Sequence, residues 1–302
     1  MEKVVVIVGP TGIGKTDISL GIARHFNTDI INADASQIKK ELNIGTAKID
    51  TTKTSIKHYL IDFLNPEDNF SIYDYQCKAR SIINLMHKEN KLPILVGGSG
   101  LYINSTIFDY DLTSDKHSFD FEKKYQSLTN EELHEQLKTI DYEAYQEIPM
   151  NNRRRVIRAI ELGINGNKSI SENKNGNKFI YDSIIICLNT NRDILYDRIN
   201  KRVDLMINNG WIEECENLLS KGINLSNLKE IGYKEIGEYL LGNCSKEEII
   251  NVIKQKTRNY AKRQITWFKN KMDCINVNVD YDNINHTQEE IINLIKDFKK
   301  NI

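Results

Sequence analysis

One stretch near the start of the chain has the residue types and spacing to hold a diphosphate. GPTGIGKT, Gly9 to Thr16, matches the pattern G-x-x-x-x-G-K-[ST]. A diphosphate concentrates negative charge. The backbone N–H groups of such a loop and of the helix behind it point at that charge, and glycine permits the close approach. Lys15 can reach the terminal phosphate, and the Thr16 hydroxyl can hold Mg2+. The competing reading is a plain glycine-rich turn between a strand and a helix. The loop does not choose its diphosphate; ATP is the common answer, so a kinase is the default at this point.

Other side chains could complete a reaction. Asp34 stands where a second strand ends, and sheets of this kind bind ligands beyond the carboxyl ends of their strands. A helix N-cap explains it equally well, since Ser36 and Gln37 follow. VGGSGLYI, Val96 to Ile103, places three glycines after a third strand, where a ligand or a neighbouring backbone approaches closely, or where the chain simply turns. In RDILYDRINKRVDLM, Leu195, Ile199, Val203 and Met206 form a helical apolar stripe, and Arg198 and Arg202 share a face beside it. Two guanidiniums there could neutralise a leaving diphosphate; the alternative is a solvated face paired to Asp197 or Asp204. Arg153, Arg154, Arg155 and Arg158 make the densest basic cluster, which as a charge run reads first as surface. His58 reads as structural, and no His/Cys constellation has metal-ligand spacing.

These residues need a frame to hold them. Val4 to Val8 is a continuous β-branched apolar run, the pattern of a strand buried on both faces of a parallel sheet. A helix is expected from about Thr16 to His25. Strands are expected at Asp29 to Ala33, Leu92 to Val96 and Ser183 to Leu188, with helical segments between them, the rhythm of a doubly wound α/β fold. The third and fourth of these strands lie too far apart for one crossover. The intervening residues are polar and helical in pattern. The expected division is a P-loop parallel-sheet core flanked by helices, in two parts, 1–110 and 179–302, with a mainly helical subdomain inserted at 111–178. Gly166 to Lys178 reads as an exposed loop. Further helices are expected at Asp193 to Asn208, Trp211 to Ser220 and Lys246 to Lys271, with a strand and a last helix in the tail.

Composition bounds the rest. The net charge of −1 over 302 residues means that any polyanion must be met by local clustering of Lys and Arg. The five cysteines are scattered, with no C-x-x-C pair, which argues against a zinc ribbon or a disulfide framework and for reduced thiols. No apolar run is long enough to cross a bilayer, and the opening residues are no signal peptide. A soluble, cytoplasmic monomer is the expectation.

Taken in order, these segments resemble the bacterial tRNA dimethylallyltransferases, the tRNA isopentenyltransferase family. The resemblance runs from the P-loop nearly to residue 270, through NADASQIKKELNIGTAK, HYLIDFLNP, SIYDYQ, VGGSGLYI, RRRVIRAIE, LYDRINKRVDLM, KEIGYKEI and TRNYAKRQITWF. There are departures: Gly12-Ile13 stands for the family's Ala-Ser, Ser99 for its Thr, and Pro149 to Asn152 for its His-Pro-Asn-Asp. The resemblance implies that Gly9, Pro10, Thr11, Gly12, Ile13, Gly14, Lys15 and Thr16, with Arg198, hold dimethylallyl diphosphate rather than ATP, with Mg2+ on Thr16. It implies Asp34 as the general base, Thr11 beside the leaving diphosphate and Arg202 as its stabilising arginine. Contacts to tRNA are implied for Asp34, Ala35, Ser36, Gln37, Ser99, Arg154, Arg155, Arg158, Lys229, Gly232, Tyr233 and Lys234, with the insertion facing the tRNA. The product would be an N6-prenylated adenosine beside the anticodon. An adenylate isopentenyltransferase would share this chemistry but not need the arginine-rich insertion. A P-loop kinase explains the phosphate loop but not KEIGYKEI or AKRQITWF, and a non-catalytic RNA-binding module would not need the loop at all.

Overall fold

The computed structural model describes residues 1–110, 112, 119–165 and 178–300. Its centre is a sheet of six parallel strands: β1 (Lys3–Val8), β2 (Ile30–Asn32), β3 (His58–Tyr59), β4 (Ile94–Gly97), β5 (Asp182–Asn189) and β6 (Ile275–Asn278), in the order β3-β2-β4-β1-β5-β6. The apolar run at the N-terminus is explained by its place in the middle. Val4, Val6 and Val8 point into one apolar layer and Val5 and Ile7 into the other, and all five are fully buried.

Helices cover both faces. On the Val5 side lie α1 (Lys15–His25), the first half of α8 (Arg192–Asn208) and α12 (Ile284–Lys300); on the Val4 side lie α2 (Ile72–Lys88) and α3 (Gly100–Ile107). The chain therefore leaves β1 towards one face and leaves its neighbour β4 towards the other. That divergence opens a crevice at the carboxyl ends of β1 and β4, the place where open α/β sheets bind ligands.

Two further cores lie off the sheet. Helices α4 (Phe119–Lys124), α5 (Asn130–Ile140), α6 (Tyr142–Glu147) and α7 (Arg153–Ile164) pack around Leu133, Leu137, Val156 and Ile160, with no residue of the sheet in the cluster. The second half of α8 joins α9 (Trp211–Ser220), α10 (Tyr233–Leu240) and the start of α11 (Lys246–Lys271) around Trp211 and Tyr233. At 26 residues, α11 is about 39 Å long. It reaches from that outer core, where Ile249 and Ile253 are buried, back to the sheet, where Phe268 is.

The expected strands are all present within two residues at each end, as are the helices α1, α8, α9 and α11. The difference is β3, which pairs with β2 through only two residues and so carries no period to read. The loop expected at 166–178 lies outside the described residues except for Lys178.

Candidate active site

The crevice deepens into a cavity of about 1670 Å³ lined from the loops after β1 and β2, from α7, α8 and α11 and from the loop before α10. The loop between β1 and α1 reaches it through Thr11. Gly12 (φ +85) and Gly14 (φ +102) take left-handed conformations that glycine adopts without cost. A Cβ on Gly12 would sit 2.8 Å from Cγ1 of Ile199, so α8 is pressed against the loop. Lys15 folds back inside it, its Nζ donating to the carbonyls of Gly9 and Pro10 at 2.9 Å each. Burial lowers its pKa to about 8, with the Asp34 carboxylate pulling the other way and Arg202 adding to the fall.

The arginine pair on α8 faces this loop. The acidic residues that could have paired it at the surface are engaged elsewhere, Asp197 by Lys201 and Asp204 by Lys254. Arg198 donates from Nε to the Gly12 carbonyl at 3.1 Å and lies over the ring of Tyr281, 3.9 Å from its centroid. Tyr281 in turn donates to the Ile13 carbonyl. Arg202 donates from Nη2 to the Thr11 hydroxyl at 2.5 Å, while its buried Nε finds no acceptor among the described residues. Burial lowers the Arg202 pKa; Asp34 opposes the shift. A guanidinium so placed is charged, desolvated and short of acceptors. An anion in the cavity would bring them.

Asp34 follows β2 across the cavity. No helix starts there. Its Oδ1 accepts from the Ser36 backbone in a local turn at 3.0 Å, which replaces the N-cap reading. The buried Asn32 side chain fixes the backbone of Asp34, accepting from its N–H and donating to its carbonyl and that of Leu60. Asp34 is also a charge neighbour of Tyr102 and Tyr260: burial first, then this carboxylate, pushes both phenols up. Ser99 accepts from the Ala35 N–H at 2.9 Å, and Gln37 donates to the carbonyls of Thr46 and Ala47.

The arginine-rich segment divides. Arg154 lines the cavity. Arg153 ties down the turn before α5 through the carbonyls of Tyr125 and Leu128, and Arg158 pairs at 2.7 Å with the buried Glu161. Arg155 is exposed. On the opposite wall Lys229 lines the cavity and Lys234 is exposed, whereas Tyr233 is buried, its hydroxyl donating to Glu214. The same Glu214 carboxylate accepts from the N–H groups of Asn43 and Ile44. Trp211 is wedged between Gly45 and Gly232, where a Cβ would meet its ring at 2.2 and 2.1 Å. The loop after Asp34 and the loop carrying Lys229 are thus fastened to one point.

Sequence reading missed Gln264. Its side chain, on α11, accepts from the Thr11 N–H at 2.8 Å and donates to the Gly98 carbonyl at 3.0 Å, bridging the loops after β1 and β4. The signal was a glutamine in line with Thr257, Ala261 and Phe268, the buried stripe of α11. Among the described residues no three His, Cys, Asp or Glu side chains gather to hold a metal. Thr16 is exposed in the first turn of α1.

The IPP transferase family model matches residues 37–271. A tRNA dimethylallyltransferase of Staphylococcus haemolyticus is 43% identical over 279 residues, covering 89% of this chain and 84% of that protein. One of Bacillus anthracis is 42% identical over 280 residues, 90% of this chain and 89% of its own. Among solved structures, the tRNA isopentenylpyrophosphate transferase of Bacillus halodurans superposes with a TM-score of 0.74 at 38% identity, covering 99% of this chain and 97% of that one. A eukaryotic dimethylallyltransferase acting on tRNA superposes with a TM-score of 0.86 at 25% identity, over 100% and 80%.

Proposed function

The chain belongs to the IPP transferase family, and from that premise we propose that it transfers a dimethylallyl group from dimethylallyl diphosphate to the N6 amine of an adenosine next to the anticodon of tRNA. The observation that carries the reading is that Arg202 and Asp34 line one cavity, with Lys15 a desolvated charge neighbour of both in the loop beside it.

In this reading the diphosphate lies on the Gly9–Thr16 loop. The allylic C–O bond breaks, charge gathers on the departing diphosphate, and Lys15, Arg202 and the loop N–H groups meet it. Arg202 and the Thr11 hydroxyl, already hydrogen-bonded, sit together at the leaving oxygen, and Arg198 braces the loop from behind. The adenine amine is a weak nucleophile because its lone pair is delocalised into the ring. As the N–C bond forms, Asp34 takes the proton that the amine must lose. The adenosine enters unstacked, out of its loop. Mg2+ suits this donor set: with no carboxylate cluster among the described residues, an ion on Thr16 would take its remaining oxygens from diphosphate and water, which Mg2+ accepts. When bound it supplies charge neutralisation to the diphosphate.

The unit at 111–178 is proposed to face the tRNA, with Arg154 at the cavity rim, supported by Lys229 and by the turn Asp34–Gln37. In Arg158 and Tyr233 the side chains are committed to Glu161 and Glu214, so they support RNA contacts by holding their segments in place. No described helix is long and apolar enough to cross a membrane; a cytoplasmic monomer is part of the proposal. The test sets acceptors against each other. Dimethylallyl diphosphate is supplied with undermodified tRNA or with AMP, and products are identified by nucleoside mass. Prenylated adenosine in tRNA, with AMP a poor acceptor, is expected. Equal use of AMP would transfer the assignment to an adenylate isopentenyltransferase.

A further inference from the structure

The backbone of Asp34 depends on one buried side chain. The strand that leads to it is short: β2 ends at Asn32, which pairs with Val96 of β4, and the neighbouring β3 ends at Tyr59. Ala33 is still held by main chain, donating to the Val96 carbonyl at 2.7 Å and accepting from the Ser99 N–H at 3.0 Å. Beyond it the ladder has ended, and both backbone groups of Asp34 turn to the Asn32 amide. Oδ1 of Asn32 accepts from the Asp34 N–H at 3.2 Å, while Nδ2 donates to the Asp34 carbonyl at 3.1 Å and to the Leu60 carbonyl at 2.8 Å. The Asp34 carbonyl also accepts from the Gln37 N–H at 3.3 Å. Only an oxygen can accept from the Asp34 N–H, which fixes which way round the amide lies. Leu60 is itself left-handed (φ +57), a conformation uncommon for leucine, so the amide also grips an unusual turn after β3. Behind Asn32 stands the fully buried Tyr75 of α2. Its hydroxyl donates to the Asn32 carbonyl at 2.9 Å, and its ring stacks on Tyr102 with 3.9 Å between centroids and 11° between planes. Tyr102 lines the cavity beside Asp34.

We infer that Asn32 is a positioning residue for the proton-transfer step, and Tyr75 its brace: the amide sets the backbone of Asp34 so that the carboxylate meets the amine of the acceptor. The inference rests on the proposed role of Asp34 as base. Oδ1 of Asp34 is taken by the Ser36 N–H, and Oδ2 has no partner among the described residues, so Oδ2 is the oxygen left to receive the proton from the amine nitrogen. The turn with Ser36 fixes the carboxylate relative to its own backbone. The Asn32 amide fixes that backbone relative to the sheet. Neither alone places Oδ2. Packing by itself would be met by an apolar residue at this position; a buried amide with its donors and its acceptor all engaged specifies one arrangement instead. A misplacement of about 1 Å at a reacting group can cost about 10²-fold in rate, so an arrangement of this kind acts on the chemical step.

The test is a double-mutant cycle in single-turnover prenylation of undermodified tRNA, with the KM for dimethylallyl diphosphate measured alongside. Asn32→Leu keeps a branched side chain and removes the amide. Tyr75→Phe removes one hydroxyl and leaves the stack on Tyr102. Asn32→Leu should slow the chemical step by about 10–10²-fold, and Tyr75→Phe by about 3–10-fold, the worth of one hydrogen bond, with the donor KM at its wild-type value in both. In an Asp34→Asn background no base remains to be positioned, and the same two substitutions should cost nothing further. A residue that merely holds the loop together would behave differently: its loss would slow the reaction by the same factor with and without the carboxylate. Such additivity, or wild-type rates in both single variants, overturns the inference and leaves the function standing. Should Asn32→Leu fail to fold, Tyr75→Phe carries the cycle alone. A wild-type protein that does not prenylate tRNA overturns the proposed function and the inference together.

Discussion

Asp34, Lys15 and Arg202 divide the proposed chemistry between them, and each role has its own signature. Asp34→Asn keeps the size of the side chain and its turn with Ser36 but removes the base. Turnover should fall about 10²–10⁴-fold with tRNA affinity retained. A variant with normal turnover and a lowered denaturation midpoint would make Asp34 a structural turn residue. Lys15 should set the alkaline limb of donor capture. Its folded pKa of about 8 means that the ammonium is present below that pH and lost above it. The diphosphate needs the ammonium. In the free enzyme kcat/KM for the donor should therefore decline as pH rises through about 8, a limb that reports the unliganded group. A profile flat through that range would show that the Lys15 charge does not govern capture. Arg202→Ala should slow the chemical step by about 10²–10³-fold, because its charge meets one that grows in the transition state. Arg198→Ala, whose guanidinium is spent on the Gly12 carbonyl and the Tyr281 ring, should cost less. Equal, small losses in a single-turnover measurement would mean that neither arginine meets the leaving group.

At the scale of elements, the site is the meeting of two helices with one loop. α8 presses on Gly12 from one side, and α11 holds Thr11 from the other through Gln264. Gln264→Leu would leave the Thr11 N–H and the Gly98 carbonyl without their partner, at a cost of about 1–3 kcal/mol. Gln264→Glu keeps the acceptor for Thr11 and loses only the donor to Gly98. The donor KM should accordingly rise more in the leucine variant than in the glutamate variant; the reverse order would show that the Thr11 contact is not what positions the loop. This bridge also marks where sequence reading stops. β1 is legible as an unbroken β-branched apolar run, α8 because it repeats an apolar residue at helical spacing, and the phosphate loop because its spacing is local. Asp34 was placed correctly at a strand end, but its turn with Ser36 could not be told from a cap. Gln264 meets Thr11 and Gly98 only when helix, loop and strand end are assembled, and no local pattern records a contact across 253 residues. Arg158 shows a second limit: its buried partner Glu161 is three residues away, yet only the burial of that carboxylate distinguishes an internal pair from a surface run.

Over the whole molecule, a nearly neutral chain brings Arg154, Arg202, Lys229 and Arg263 to one cavity. Cations gathered at one cavity suit a protein that must meet a polyanion there. Trp211 and Glu214 carry the outer helical core into the same place, fastening the loop after β2 to the segment before α10. The family, the fold and the cavity support the proposal that a diphosphate donor and an RNA acceptor meet at the carboxyl ends of β1 and β4. The central claim is that the phosphate loop serves prenyl transfer and not ATP. The direct measurement is a count: prenyl groups gained by undermodified tRNA against diphosphate released from dimethylallyl diphosphate, with ATP offered in parallel. The account predicts one diphosphate for each N6-prenylated adenosine and no acceptor-dependent phosphoryl transfer from ATP. Phosphoryl transfer from ATP at ordinary enzyme rates, with the tRNA left unprenylated, would contradict it.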